Sequence, residues 1–276
     1  MKKRTRILAG LPVALAALML GAGAPVAWAG DEEAIPFDEA EIFFELNNTD
    51  GDLGIHALID GDAWKQLKIY DSKRRKLLKV GAIGRLRRQG LTEIFFESAE
   101  PRFESDDPDE TTLTPEEFFA RFPPGEYEIR GKTLEGDKLE SETEVTHVMP
   151  APPVTTVNSE PMALVCDEDD PDFDAPAVTA PVTIEWAEVM SSHPDLGVDP
   201  PVEVTIHNYQ VVVEAEVEIN GDEFVSELSV ILPPDARSFT IPEEFTEQTD
   251  QYKYEVLARE VSFNQTAVES CFVLEE

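Results

Sequence analysis

The sequence predicts an all-β protein made of two tandem β-sandwich domains, and three observations support this prediction. Apolar and polar residues alternate along several short stretches, the pattern of strands that bury one face. Residues typical of turns, such as Gly221-Asp222 and Pro233-Pro234-Asp235, separate these stretches. A proline-rich stretch, Pro150–Pro153, then divides the chain into two parts of about 100 residues, the size of one sandwich each.

The first element is a predicted signal peptide, residues 1–29. Basic residues between Lys2 and Arg6 precede an apolar stretch, and Ala27-Trp28-Ala29 fits the small-x-small pattern of a cleavage site. We therefore expect an exported protein, periplasmic or extracellular. The alternative is an uncleaved anchor, because a span needs only about 20 apolar residues. No later apolar run approaches that length, so no transmembrane segment is expected after cleavage.

The remaining chain is strongly acidic. Removing the four basic residues of the leader leaves 18 basic and 57 acidic residues, a net charge of −39. Such a charge repels nucleic acid, which we do not expect as a partner. Adaptation to salty surroundings accounts for it without a specific acidic function.

The part after the leader begins with a predicted domain at 35–149. The segments Glu41–Leu46 and Ile55–Ile59 read as a hairpin around a polar loop. Thr114-Pro115-Glu116-Glu117 is a capping box with proline at the first helical position, which predicts one short helix. The strand Gly125–Arg130 has the Pro-Gly-x-Tyr-x-Ile pattern that resembles the penultimate strand of bacterial immunoglobulin-like domains. The resemblance implies that Tyr127 is a corner tyrosine.

A linker and an acidic loop are predicted at 150–176, followed by a second domain at 177–276. This domain resembles the fibronectin type III family on three segments: Thr183–Trp186 with its terminal tryptophan, the tyrosine-led strand Tyr209–Val213, and Tyr252–Ala258. The resemblance implies a sandwich in which Tyr252 is the corner tyrosine. As a whole, the chain resembles uncharacterised secreted bacterial proteins with a fibronectin type III domain, here preceded by an immunoglobulin-like one.

The two cysteines, Cys166 and Cys271, predict one disulfide, because an even pair in an exported protein is typically oxidised. Two unpaired buried thiols are the alternative. Motifs for catalysis are missing from the sequence: it has no Gly-x-Ser-x-Gly, no Cys-x-x-Cys and no His-Glu-x-x-His. Its four histidines are scattered without ligand spacing, and we interpret them as strand or loop residues. The sequence therefore indicates a protein that is not an enzyme.

The polar loop Asn47–Gly54 suggests a calcium site, and calcium is the single cofactor that the sequence suggests. Asn48, Asp50 and Asp52 alternate as hard oxygen donors, which suits this ion. The spacing is not that of an EF-hand, because the sixth position is Leu53 and the twelfth is Ile59. An ordinary Asx/Gly hairpin loop is the alternative.

A second feature is the basic segment, Lys65–Arg88, which has ten basic residues and one acid, Asp71. By contrast, the chain from Pro150 onward has three basic residues and 28 acids. The segment predicts a docking face for an anion, such as a polyanionic glycan or lipopolysaccharide, or a dock for the acidic domain of this or another chain. An exposed hairpin with basic residues that prevent edge pairing is the third interpretation. The best candidate anion contacts are Arg74, Arg75, Arg87 and Arg88.

These observations favour a non-enzymatic exported protein of the interaction or adhesion type, which presents sandwich surfaces to a protein or polyanionic partner. The rival function is a structural spacer or an accessory subunit of an exported enzyme or envelope assembly, stabilised by calcium. The two functions differ in whether the isolated protein binds a partner.

Overall fold

The computed structural model describes residues 34–275 except 106, 108, 110, 169 and 220. The predicted signal peptide therefore lies outside the described residues. Residues 34–276 form one compact unit. The protein is all-β, as predicted, with β-strands arranged in sandwich fashion and three short helices. The elements are β1 (Glu39–Asn47), β2 (Asp52–Tyr70), β3 (Lys76–Gly81), α1 (Leu86–Gln89), β4 (Leu91–Glu97), α2 (Pro115–Arg121), β5 (Gly125–Thr133), β6 (Lys138–Val145), β7 (Thr155–Val157), β8 (Glu160–Pro161), β9 (Ala177–Thr179), β10 (Thr183–Trp186), β11 (Ile206–Ile219), β12 (Asp222–Leu232), β13 (Ser238–Thr240), α3 (Glu243–Thr246), β14 (Gln251–Glu260) and β15 (Gln265–Glu275).

The first half of the fold is organised around the 19-residue strand β2. Its first part lies between β1 and β4, and its second part lies between β3 and β5, so one strand serves two sheet regions. Alternate side chains of these strands enclose a buried core around Phe44, Trp64 and Tyr127. Helix α2 covers this core with Phe118 and Phe119, and its predicted capping box is present.

The second half encloses its own core. The long strand β14 pairs with β11 on one side and with β15 on the other, and β12 pairs with β11. A smaller sheet of β13, β10, β7 and β8 supplies the opposite wall. As the alternation predicted, Val182, Ile184 and Trp186 are buried together with Tyr209 and the other core residues of this half.

Both corner tyrosines have the predicted hydrogen bond to the backbone upstream. The Tyr127 hydroxyl donates to the Pro123 carbonyl at 2.9 Å, and the Tyr252 hydroxyl donates to the Phe245 carbonyl at 3.2 Å. Each tyrosine is buried in the core of its own half. These bonds fix the loop before each strand to the strand itself.

The two halves share one sheet. Strand β1 pairs in parallel with β15, which makes an 11-stranded sheet that runs through both halves. The proline-rich stretch between them is packed in place: Pro150 and Pro153 are buried, and Ala151 donates its N–H to the Ser191 carbonyl. The two separate cores divide this region in two, whereas the shared sheet joins it into one. The predicted domain boundaries at 149 and 177 therefore stay a prediction. Within the described residues, the structure contains no helix of sufficient length and apolarity to span a membrane.

Candidate functional site

The structure divides the four predicted anion contacts into two pairs. Arg74 and Arg75 lie in the turn between β2 and β3, where Arg74 has a positive φ of 58°. Both are already paired with buried carboxylates: Arg74 Nη1 lies 2.5 Å from Glu128 Oε1, and Arg75 Nε lies 2.6 Å from Asp71 Oδ2. These two arginines therefore stabilise the turn.

The Asp71 side chain organises that turn. Asp71 is buried, and its carboxylate accepts hydrogen bonds from the backbone N–H groups of Lys73 and Arg75. Burial alone would raise its pKa, but the hydrogen bonds and the charge from Arg75 hold the pKa of this carboxyl below its usual value. The single acid of the basic segment is thus a structural anchor.

Arg87 and Arg88 are placed differently. They lie on the one-turn helix α1, and both side chains are exposed. Together with Lys65 of β2 and Leu134 they line a shallow depression, and the Lys65 ammonium donates to the Leu134 carbonyl at 3.2 Å. Three cationic side chains from two elements therefore converge at this point.

The predicted calcium donors lie in the turn between β1 and β2 and at the start of β2. Asn48 Oδ1 lies 3.0 Å from His193 Nε2, and Asp50 Oδ1 accepts from Arg102 at 2.9 Å. Burial, and then the charges of Glu100 and Asp50, raise the pKa of Asp52 to about 6. The side chains of Asn48 and Asp50 thus already have protein partners. Calcium binding by Asn48, Asp50 and Asp52 stays a prediction.

The disulfide between Cys166 and Cys271 is present, with a Cα–Cα distance of 5.8 Å and a sequence separation of 105. It attaches the loop before β9 to strand β15. Beside it lies a broad open groove of about 1060 Å³, lined by acids that include Glu214, Glu255 and Glu269. Burial, followed by the charges of Glu45 and Glu269, raises the pKa of Glu255 to about 8.

Sequence reasoning missed a polar cluster around His56, which it interpreted as an ordinary strand residue. The His56 side chain lies on the face of β2 opposite the core and is only 4% exposed. Its Nε2 atom lies 2.8 Å from Glu100 Oε1, and its Nδ1 atom lies 3.5 Å from Glu45 Oε2. The ligand-type atoms of His56, Glu97 and Glu100 all lie within 4.8 Å of one another. The one signal in the sequence is that His56 alternates with the core residues Ile55 and Ala57.

This polar cluster, defined as His56, Glu45, Glu97 and Glu100, lies next to the junction of the two halves. Burial works to lower the pKa of His56, but the hydrogen bond with Glu100 and the charge of Glu45 raise it. From β15, the side-chain amide of Gln265 donates to the Glu45 carboxylate. From β14, the Arg259 guanidinium lies over the Phe43 ring at 4.4 Å and pairs with Glu41. Polar groups of both halves therefore meet on one face of the shared sheet.

No protein-family model and no curated protein matches this chain. Two solved structures are similar to it at a low level. The tetra-tandem repeat in the extending region of a large adhesion protein is 11% identical, with a TM-score of 0.24 over 86% of this chain and 49% of the other. A 1.5-MDa bacterial ice-binding adhesin, studied for host cell surface retention, is 11% identical, with a TM-score of 0.21 over 88% of this chain and 66% of the other. The chain thus spans about half the length of the first and under two thirds of the second, and this likeness carries no functional argument.

Proposed function

We propose that this chain is an exported, non-enzymatic binding protein of the adhesion type that holds a polyanionic glycan, such as the phosphorylated sugars of lipopolysaccharide, at the basic segment. The observation that carries the proposal is the convergence of Lys65, Arg87 and Arg88 around one exposed depression. In a chain with a net charge of −35, such a convergence of cations gives one surface that attracts anions.

Arg87 and Arg88 are better suited to this contact than Arg74 and Arg75, whose charges are compensated by Glu128 and Asp71. A guanidinium group binds phosphate or carboxylate in a bidentate way, while the Lys65 ammonium adds a point charge. A single exposed ion pair contributes at most about 1 kcal/mol, so a partner must engage several cations at once. A glycan with repeated anionic groups meets that requirement.

The test is retention of the purified protein on immobilised heparin and on lipopolysaccharide across a salt gradient. We expect retention at low ionic strength and release as salt rises, because the Debye length falls to about 8 Å at physiological ionic strength. The variant Arg87→Ser/Arg88→Ser should lose retention. The matched control Arg121→Ser/Lys138→Ser removes the same charge from exposed positions of the same half and should keep it.

Two outcomes would reject this function: a lack of retention at low ionic strength, and equal release of the two double variants. Association of the protein with itself at low salt, abolished by Arg87→Ser/Arg88→Ser, would instead assign the depression to an acidic surface of a second copy.

A structural spacer is the second candidate, and the shared 11-stranded sheet favours it. Parallel pairing of β1 with β15 restricts bending between the halves, which suits a stiff unit within an assembly. Small-angle scattering of the protein at several ionic strengths tests this property. A spacer should give one scattering profile throughout, while separation of the halves would make the profile depend on salt.

A further inference from the structure

We propose that His56, Glu97 and Glu100 bind one divalent transition-metal ion, for which Zn²⁺ is the probe. This site shares none of its donors with the basic segment or with the predicted calcium donors Asn48, Asp50 and Asp52, and it does not depend on the proposed function.

The fold brings the three donors together. Strands β2 and β4 pair so that His56 stands directly opposite Glu97. Glu100 follows three residues later, and its Oε1 atom reaches to 2.8 Å from His56 Nε2. All three donor atoms lie within 4.8 Å of one another, a spacing that small side-chain rotations convert into coordination of one ion. Zn²⁺ binds imidazole nitrogen and carboxylate oxygen at about 2.0–2.2 Å, so donor atoms around one ion must lie within roughly twice that distance of one another.

The imidazole ring of His56 is also supported from its other side. Metal-bound histidines almost always engage a carboxylate, a carbonyl or water through the second ring nitrogen, which orients the ring and fixes its tautomer. Here His56 Nδ1 faces Glu45 Oε2 at 3.5 Å, and Gln265 in turn donates to the same carboxylate. The ring also lies between Phe43 and Phe95, with centroid distances of 5.4 and 5.9 Å. Glu45 is therefore a positioning residue that leaves Nε2 directed at Glu97 and Glu100.

Gly54 provides space for the Glu100 side chain. A Cβ atom at position 54 would overlap the Glu100 carboxyl group, so a larger residue there requires this flexible side chain to move from its place across β2. Gly54 has no positive φ that would require glycine for backbone reasons. Glycine at this position thus leaves the space that the Glu100 carboxyl group occupies beside His56.

The charge of the polar cluster also favours a cation. Three carboxylates, those of Glu45, Glu97 and Glu100, face one imidazole, and even a protonated His56 leaves an excess of negative charge. Arg259, on the same face, is paired with Glu41. The side chains of Glu45 and Glu100 are only 22% and 23% exposed, so water solvates this negative charge poorly. A bound divalent cation offsets this charge.

The donor set also selects the kind of metal. Ca²⁺ and Mg²⁺ take oxygen ligands, whereas imidazole together with carboxylate suits zinc and its neighbours in the transition series. An excess of Ca²⁺ in the assay therefore blocks the general acidic surface while leaving a nitrogen-containing site available to Zn²⁺.

The experiment is a calorimetric titration of the chelator-treated protein with Zn²⁺ in the presence of excess Ca²⁺, together with visible absorption after Co²⁺ addition. We expect one Zn²⁺ per chain and a Co²⁺ spectrum that shows nitrogen coordination. Glu97→Gln changes an exposed ligand and should weaken binding at least about tenfold, as should His56→Gln. Gly54→Ala, which displaces Glu100 without altering a donor, should weaken it similarly. Glu45→Gln should cost about 10- to 100-fold in affinity and shift the Co²⁺ spectrum.

The matched controls are His207→Gln and Glu227→Gln, which remove one histidine and one acid that are not donors of the site and should leave the titration unchanged. If His56→Gln does not fold, Glu97→Gln decides, because the Glu97 side chain is exposed. The proposal is overturned if the wild-type protein binds no stoichiometric Zn²⁺ under Ca²⁺, or if Glu97→Gln and the controls have the same affinity as wild type.

Discussion

Asn264 and Phe44, which are 220 residues apart, are joined by a buried hydrogen bond in which the Phe44 N–H donates to Asn264 Oδ1 at 2.8 Å. The amide nitrogen of the same side chain donates to the carbonyls of Thr146 and Val148 at 3.1 and 2.9 Å. One asparagine from the turn between β14 and β15 thus satisfies three backbone groups of the first half and of the stretch that leads out of it. Asn264 is only 1% exposed, so water cannot replace it.

Replacing Asn264 by Ala should therefore destabilise the protein strongly. Three backbone groups lose their partner in a buried place, at a cost of about 1–3 kcal/mol per unsatisfied group, so we expect a loss of at least about 3 kcal/mol. Urea unfolding of the variant measures it. Asn208→Ala, at a half-buried position on β11, is the control and should change the free energy of unfolding by less than about 0.5 kcal/mol. Equal stability of the two variants would contradict a coupling role for Asn264.

The corner tyrosines give a matched pair of predictions. Tyr127→Phe leaves the Pro123 carbonyl without its donor, at an expected cost of about 1–2 kcal/mol. Tyr252→Phe should cost more, because its hydroxyl also accepts from the Thr249 N–H. The two effects should add within about 0.5 kcal/mol, since the residues belong to separate cores. Tyr70→Phe, a half-buried tyrosine whose ring faces Lys76 and Arg130, is the control and should be close to neutral in thermal unfolding.

Removing the disulfide should lower stability substantially. The bond closes a loop of 105 residues, for which the chain-entropy model gives about 4–5 kcal/mol. Cys166→Ser/Cys271→Ser should show this loss in urea unfolding, and reduction of the wild-type protein should reproduce it. Peptide mapping without reductant should find the bridged pair. A double-serine variant as stable as the oxidised protein would show that the loop is held by its other contacts.

The Glu255 carboxyl predicts a dependence of stability on pH. Its pKa is about 8 in the folded protein and near 4.5 when unperturbed, so the folded state binds the extra proton between these values. Its contribution is fully present below about pH 4.5 and is lost as the pH rises through about 8. Glu255→Gln should therefore stabilise the protein more at pH 9 than at pH 5, which urea unfolding at the two pH values measures. The exposed Glu218→Gln is the control and should follow the wild-type pH profile.

The calcium prediction needs a comparison at constant ionic strength, because screening alone stabilises an acidic chain. If Asn48, Asp50 and Asp52 bind Ca²⁺, saturation to 100 times Kd should add about 2.7 kcal/mol to the free energy of unfolding. Thermal unfolding with Ca²⁺, with Mg²⁺ and with chelator measures it. An equal effect of Ca²⁺ and Mg²⁺, or an unchanged response in Asp50→Asn/Asp52→Asn, would reject the site.

The sequence alone determined those features that depend only on residues close together along the chain. The alternation at Val182, Ile184 and Trp186 predicted a buried strand face, and Thr114 with Glu117 predicted the capped helix, because periodicity and capping are local properties. The two cysteines allowed only one disulfide, so their pairing was also predictable. The basic segment was visible as a run of charge in the sequence.

Only the tertiary structure decided which of these residues act together. Sequence periodicity shows which face of a strand is buried but does not identify the neighbouring strand, so the parallel pairing of β1 with β15 and the meeting of Glu45 with Gln265 could not be predicted. The same holds for His56, whose partners come from β1, β4 and the segment after β4. It also holds for the arginines, because Arg74 pairs with the buried Glu128 of β5 whereas Arg88 remains exposed. In the sequence, both are positive charges of the same basic segment, and nothing there distinguishes them. Contacts between distant segments are set by register and chain reversal, and these are properties of the folded chain.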